Sequence, residues 1–226
     1  MFHNKLLIFM HIPKASGATL RSIIQNNYKK SVNWVGKGKG LSSLKKKVEN
    51  SDAFMGHVYY GIHKKYSKPS FYITMLRDPV DRVISHYLFM KRSSGHIHHE
   101  KVKDLTIEQF LNCKFFDVQT KNLQTRYFCG GKTPHLTQAI KVMEHNIYFV
   151  GITERFDDSL KILEHDLGWN NLNYQKINEN PNKTSRSDFS KEVIDQITEN
   201  NQLDIQLYEL AKKIFEKKLQ AIRTDS

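Results

Sequence analysis

The chain has 226 residues, 39% of them hydrophobic, and a formal net charge of +12, which suits one α/β domain with an anionic partner. No apolar run approaches the roughly 20 residues that cross a bilayer, and the basic clusters lack the interleaved aromatic residues of single-strand binders, so we expect neither membrane insertion nor a nucleic-acid partner. The two cysteines make no disulfide framework and the N-terminal apolar run is too short for a signal peptide, which predicts a cytoplasmic location.

The chain begins with a predicted strand, loop and helix. Residues 6–10 are all apolar, as in a buried parallel strand, and apolar spacing predicts a helix over residues 19–28. Backbone N–H groups and the helix dipole at such a junction favour an anion, and Lys14 adds a positive charge. This lysine precedes the small residues, so the loop is not a Walker A sequence. Taken alone, a lysine at such a place is more often an ordinary surface residue.

A polar, lysine-rich segment with three glycines covers residues 31–50 and predicts a mobile excursion on the substrate side, with a short basic helix at residues 42–48. The histidine-rich segment 92–104 is a second excursion of this kind. Residues 53–55 predict a short strand that ends at His57. A lone histidine is usually structural, whereas one that ends a strand beside a phosphate site is a candidate for chemistry.

Residues 71–76 form the clearest strand after the first, apolar on both faces and therefore interior to a sheet. Asp78 and Pro79 then predict an N-cap and the first residue of a helix. Arg77, at the strand end, has the geometry to bind a phosphate with two hydrogen bonds. Asp78 and Arg82 lie four residues apart, which predicts a local ion pair.

The rest of the chain continues the alternation of strands and helices. Short helices are predicted over residues 106–145, a strand at 147–151, a helix at 156–167, a loop at 170–188 and a helical tail at 191–222. No linker divides the chain, so we predict one domain, residues 1–226, with a parallel sheet and right-handed crossovers. Ligands bind at the carboxyl ends of the strands in such a sheet.

Three segments of the sequence resemble the sulfotransferases, in particular the carbohydrate-directed branch related to heparan sulfate 2-O-sulfotransferase. The segment from His11 to Leu20 looks like that family's 5′-phosphosulfate loop. The segment from Thr74 to Tyr87 is similar to its 3′-phosphate motif, an arginine and Asp-Pro with a serine eight residues after the arginine. The segment from Gly56 to Gly61 resembles its catalytic-histidine segment. Weaker resemblances lie at residues 122–126, 150–154 and 182–184.

The resemblance implies a P-loop-like α/β fold, with a central parallel sheet flanked by helices, and the cofactor 3′-phosphoadenosine 5′-phosphosulfate (PAPS), with no metal required. It assigns the general base to His57 and the 3′-phosphate to Arg77 and Ser85. Lys183 and Thr184 would close over the nucleotide. The 5′-phosphosulfate would be held by Lys14 and the loop that follows it: Ala15, Ser16, Gly17, Ala18, Thr19 and Leu20.

The loop departs from the Lys-Thr-Gly-Gly-Thr-Ser/Thr pattern common among relatives at Ala15 and Ala18, which lack hydroxyls. Backbone N–H groups, Ser16 and Thr19 would therefore do the binding. A second histidine that the 2-O-sulfotransferase has two residues before its base is replaced here by Met55.

We therefore predict transfer of a sulfuryl group from PAPS to a hydroxyl of a sugar or glycan, with Lys14 meeting charge on the leaving phosphate and His57 taking the proton. The acceptor stays open between an acidic glycan, a neutral glycan, a lipid-linked sugar and a protein tyrosine. A P-loop small-molecule kinase is the enzyme alternative, although it would need Mg²⁺ ligands and a lysine after the loop glycine. A non-catalytic polyanion-binding module is the other alternative, suggested by the net charge.

Overall fold

The protein is organised on one five-stranded parallel sheet. The computed structural model describes residues 2, 4–34, 41–174 and 184–224. The strand order is β2-β3-β1-β4-β5, so the first strand lies at the centre. All five residues of that strand are buried, as expected when helices cover both faces of a parallel sheet. The strands are β1 (Leu6–Met10), β2 (Ser31–Trp34), β3 (Ala53–Gly56), β4 (Ser70–Leu76) and β5 (Ile147–Ile152).

The helices connect and cover the strands. The α-helices are α1 (Gly17–Asn27), α2 (Lys45–Glu49), α3 (Pro79–Arg92), α4 (His99–Val102), α5 (Ile107–Asn112), α6 (Asp117–Thr120), α7 (Leu123–Phe128), α8 (Leu136–Asn146), α9 (Phe156–Leu167), α10 (Lys191–Asn200) and α11 (Gln202–Thr224). Short 3₁₀ helices lie at Leu41–Leu44, Ile62–Lys65, Lys114–Phe116, Thr153–Arg155 and Arg186–Asp188. None of the helices in the described part of the chain is long and apolar enough to cross a membrane.

The predicted α/β fold class is confirmed, and the four strands that the sequence predicts, β1, β3, β4 and β5, fall within one residue of their predicted ends. Residues 31–34 differ from the expectation, because they form the edge strand β2 and not an excursion. Their backbone pairs in register with β3 over residues 53–56, and Val32 is buried. The predicted basic helix at 42–48 becomes a 3₁₀ turn followed by α2. Residues 35–40 of the predicted excursion lie outside the described residues.

Two apolar clusters stabilise the domain. The larger contains the strands and the helices packed on them, including α1, α9 and α11. The smaller joins α3 to later helices, because Val83 and Met90 of α3 pack in one cluster with Phe110 of α5 and Ile197 of α10. Helix α3 also lies against α11, a helix of the larger cluster.

The start of α3 confirms one prediction and corrects another. The Asp78 carboxylate accepts the N–H groups of Val80 and Asp81 at 2.9 and 3.0 Å, so Asp78 is the N-cap and Pro79 the first helical residue, as predicted. The predicted Asp78–Arg82 ion pair is wrong. The Arg82 guanidinium is fully buried and donates to the carbonyl oxygen of Gln119 at 2.9 Å.

A buried carboxylate on α11 holds α7 in place. Asp204 accepts the N–H groups of Gln124 and Thr125 at 2.9 and 2.7 Å and the Thr125 hydroxyl at 2.7 Å. Burial raises the pKa of Asp204, and these donors together with Arg82 oppose that change. Burial lowers the pKa of Arg82 to about 10, and the Asp204 carboxylate is the main group that opposes this.

We predict that Asp204→Asn lowers the free energy of unfolding by about 3 kcal/mol, because hydrogen bonds to a charged acceptor are lost and buried Arg82 loses its compensating charge. Urea unfolding measures the change. The matched control is Asp195→Asn at an exposed position of α10, where the one ion pair of the carboxylate within the described residues is with Lys191 and the change should stay within about 0.5 kcal/mol. Equal stability of the two variants would contradict the assigned role of Asp204.

Candidate active site

A cavity of about 900 Å³ opens at the carboxyl ends of the strands, the edge that the sequence predicts. Its walls come from the segments that follow β1, β3, β4 and β5. The cavity brings together four of the predicted site residues, Lys14, His57, Arg77 and Ser85, although up to 71 positions separate them in the chain. It is the natural place for a ligand and a reaction.

The loop between β1 and α1 forms one wall. Lys14 and Ser16 both adopt the left-handed conformation, with φ of 68° and 53°. Non-glycine residues at positive φ cost energy and cluster at functional sites. The Ser16 N-cap makes no side-chain capping hydrogen bond in the described structure, so the first N–H groups of α1, at Gly17 and Ala18, could bind an anion. Ala15 lies between the two left-handed residues and is buried in the core, where a larger side chain would have to displace its neighbours.

Gly17 is required by the packing of the loop on His11. A Cβ atom at position 17 would lie 1.8 Å from Cδ2 of the His11 ring, far inside contact distance. The ring also stacks on Phe9, with centroids 5.4 Å apart and planes 9° from parallel. Burial, followed by the neighbouring His57, lowers the pKa of His11 well below 6.5. A neutral His11 therefore fills the space beneath the start of α1.

His57 is oriented by the backbone of the same loop. Its Nδ1 lies 2.9 Å from the carbonyl oxygen of His11. A carbonyl only accepts, so Nδ1 carries the proton and Nε2 of the neutral ring keeps its lone pair. The side chain is accessible from the cavity, yet the surrounding protein lowers its pKa, with burial the largest cause and Arg21 a smaller one. His57 is thus a neutral, oriented proton acceptor near pH 7.

Lys14 extends into the cavity, and its Nζ lies 4.0 Å from the centroid of the Phe89 ring on α3. Burial, then Arg92 and Arg77, lower the pKa of Lys14 to about 8. Within the described residues, no carboxylate is within ion-pair distance of Lys14. The lysine is therefore a cation in a partly desolvated wall, where a bound anion is strongly favoured.

Arg77 is fixed through its backbone. Its N–H donates to Oε1 of Gln124 at 3.0 Å and its carbonyl accepts from Nε2 of the same side chain at 2.9 Å. Its Nη1 donates to the Lys14 carbonyl at 3.3 Å, whereas Nε is buried with no partner among the described residues. The hydroxyl of Thr153, on the same cavity, is also buried and has no hydrogen-bond partner in the part of the chain that the structure describes. Buried donors without an acceptor are expected where a bound polar ligand supplies the missing hydrogen bonds.

The other predicted site residues do not all line the cavity. Ser16, Gly17, Ala18 and Thr19 line the cavity, as do Lys14, Arg77 and Ser85. Ala15 and Leu20 are buried in the core, and the Leu20 N–H bonds to the Ser16 carbonyl within α1. Thr184 is half-buried and is not part of the cavity wall. Lys183 lies outside the described residues.

His86, Phe89 and Gln119 are among the cavity residues that were not predicted from the sequence. The two on α3 carried a usable signal, because residues 85, 86 and 89 follow Arg82 at helical spacings of three, four and seven. One face of α3 therefore turns to the cavity. Gln119 lies on the four-residue helix α6, where no periodicity could have indicated it.

The chain is similar in sequence to known proteins. Residues 1–211 match the Sulfotransferase family. The chain is 27% identical over 131 residues to a heparin sulfate O-sulfotransferase of Drosophila melanogaster, covering 50% of this chain and 37% of that protein. It is 28% identical over 127 residues to heparan sulfate 2-O-sulfotransferase 1 of Gallus gallus, covering 49% and 36%.

The chain thus spans little more than a third of the length of the curated relatives it matches. Among solved structures, mouse sulfotransferase SULT7A1 complexed with PAP matches with a TM-score of 0.45 and 14% identity, covering 88% of this chain and 64% of that one. The family match extends over both phosphate-motif segments and the cavity residues between them. On that match, the protein belongs to the Sulfotransferase family.

Proposed function

We propose that this protein transfers a sulfuryl group from PAPS to a hydroxyl of a sugar or glycan. The observation that carries the proposal is the single cavity that collects Lys14, His57, Arg77 and Ser85. Family membership supports the reaction class, and the names of the Drosophila and chicken relatives support a carbohydrate acceptor. A cytoplasmic location stays part of the proposal.

The cavity residues fit the charged ends of PAPS, which supplies the sulfuryl group when bound. The first N–H groups of α1 and the Lys14 ammonium would hold the 5′-phosphosulfate, and Lys14 would stabilise charge on the leaving phosphate. The Arg77 guanidinium, with its unpaired Nε, and the Ser85 hydroxyl would hold the 3′-phosphate. Because Gln124 clamps the Arg77 backbone, this arginine is ready to bind without rearranging its strand end.

His57 would take the proton of the acceptor hydroxyl at Nε2. The bond from Nδ1–H to the His11 carbonyl fixes the ring and leaves that nitrogen available. The lowered pKa keeps the ring neutral near pH 7, which is the form that accepts a proton. When Nε2 is protonated, the same carbonyl continues to accept from Nδ1–H, so the ring needs no reorientation during the reaction.

We predict that sulfate transfer from labelled PAPS to a panel of acidic and neutral glycans falls by about 10²–10³ in Lys14→Ala and by about 10²–10⁴ in His57→Ala. The matched controls are Lys141→Ala and His145→Ala, two exposed residues of α8 outside the cavity, which should keep wild-type rates. Activity that survives in both cavity variants would rule out the mechanism.

Binding of the desulfated cofactor PAP separates this enzyme from a general polyanion-binding module. We predict that PAP raises the melting temperature of the wild type, and that the rise levels off at high PAP concentration. A ligand that binds the folded state and not the unfolded state stabilises the folded state, so Arg77→Ala should abolish most of the rise. Differential scanning fluorimetry measures the shift, with Arg223→Ala at the exposed C-terminal end of α11 as control. A melting temperature that does not change with PAP, together with heparin binding that weakens as salt is added, would favour the polyanion-binding module.

The pH profile of kcat/KM for PAPS should be bell-shaped. The acid limb lies below pH 6.5, because His57 must be neutral and its pKa is lowered. The basic limb lies near pH 8, because Lys14 must be charged and its pKa is about 8 in the free protein. In Lys14→Arg the basic limb should disappear, since a guanidinium stays charged, whereas Lys141→Arg should retain it. A wild-type profile flat to pH 10 would contradict the assignment.

A further inference from the structure

One wall of the cavity has no part in binding PAPS or in the proton transfer. We call it the imidazole wall and define it by His86, His96 and His98. The rings follow one another, with centroids 6.4 Å apart from His86 to His96 and 5.5 Å from His96 to His98. The Lys14 ammonium lies over the face of the Phe89 ring, and the centroid of that ring is 5.6 Å from the centroid of the His96 ring. The wall therefore starts beside the predicted point of sulfuryl transfer and leads away from it.

His86 is the inner end of this wall and is only 7% exposed. Its Nδ1 is buried and has no hydrogen-bond partner among the described residues, although the residue lines the cavity. Burial lowers the pKa of His86 well below 6.5, and the nearby charges of Arg82 and Lys14 act in the same direction. His86 is thus held as a neutral imidazole, with one donor and one acceptor nitrogen.

A neutral amide lies on the same side of the cavity. Gln119 lines the cavity, and its side-chain Oε1 is buried without a partner in the described part of the chain. Its backbone carbonyl accepts from Arg82, the residue that precedes His86 by one turn of α3. The outer rim is apolar, with Ile97 73% and Val118 41% exposed, and both line the cavity. The wall therefore offers neutral polar groups inside and apolar surface outside.

The cationic groups near this wall belong to other side chains, and Lys14 and the buried Arg82 act on His86 at its inner end. The cationic side chains in its described lining are Lys14, Arg21 and Arg77, and two of them are matched by the phosphate ends of PAPS in the proposed function. Burial is the largest cause that lowers the pKa of both His86 and His98, and the Gln119 amide carries no charge. Lys101 lies over Phe115 beyond the lining, 4.9 Å from the ring centroid. Neutral imidazoles and amides both donate and accept, as hydroxyls do, whereas a carboxylate or sulfate group only accepts.

We propose that the imidazole wall and Gln119 form the acceptor subsite, and that they select an uncharged polyhydroxyl chain, a neutral glycan, over an acidic one. The inference rests on the proposed function and deepens it. His86 is the specificity-determining residue: it would hydrogen-bond a hydroxyl next to the one that is sulfated. The rings and the apolar rim would pack against the apolar faces of the sugar rings.

The test uses the full chain loaded with PAP. Saturation-transfer NMR compares binding of two neutral probes, maltotriose and chitotriose, with that of an acidic probe, a hyaluronan hexasaccharide. Transfer from PAPS to the same probes gives KM and kcat. The variants are His86→Leu, which keeps the volume without hydrogen bonds, His86→Asn, which keeps a donor and an acceptor, and the surface control His145→Leu.

We expect the wild type to bind at least one neutral probe more tightly than the acidic one. His86→Leu should raise KM for that probe about ten-fold, the effect of losing a buried hydrogen bond to substrate. His86→Asn should recover most of the loss, and kcat should change less than KM. The PAP-induced rise in melting temperature should be the same in all variants, because His86 does not bind the donor, which also shows that each variant folds.

Preference for the acidic probe, or an unchanged KM in His86→Leu, would overturn the inference while the proposed sulfotransferase activity stands. Neutral-probe binding that depends on His86, without transfer from PAPS to any glycan, would support the subsite and overturn the proposed function instead. The two hypotheses therefore fail in different measurements.

Discussion

The architecture of the site depends on a short polar segment, Asn122 to Thr125, that is bonded to the C-terminal helix on one side and to a strand end on the other. Asn122 caps α11 by accepting the N–H groups of Leu203 and Asp204. The Asp204 carboxylate in turn binds the backbone of α7, and Gln124 closes a two-way amide pair with the backbone of Arg77. The position of the cavity arginine is thus set by a helix more than 120 residues away in sequence.

A second property of the site concerns two cationic side chains with an unmet partner in the described part of the chain. The described residues give Lys14 no carboxylate partner, and Arg77 keeps a buried donor without a partner. The loop that presents Lys14 also contains two left-handed non-glycine residues. Both features cost folding free energy, which the buried sheet and its covering helices must supply. In return the site is preorganised, because an entering anion meets oriented cations and backbone donors.

The sequence was sufficient for the parts of this structure that follow from local periodicity. The five apolar residues of β1, the Asp78 cap and the helix at 156–167 each carry their signal within a few neighbouring positions. The edge strand β2 carries no such local signal, because this four-residue strand is specified by its pairing with β3 rather than by its own composition.

The same division applies to the site. Lys14, His57 and Arg77 were selected because each follows a predicted strand, and strand ends converge at one edge of a parallel sheet. Arg82 was assigned to the wrong partner because the helical spacing that favours a pair with Asp78 contains no information on burial. The roles of Gln124 and Gln119 depend on contacts 47 and 37 residues away in sequence, which no local pattern encodes.

The contact between Gly17 and the His11 ring links two functions that look separate in the sequence. The ring occupies the space that any side chain at position 17 would need, and the carbonyl of the same histidine orients His57. A change in the shape of the loop at position 17 would therefore be transmitted to His57 through His11. A graft of this loop would have to carry positions 11 and 17 together, because a side chain at position 17 and the His11 ring cannot occupy the same space.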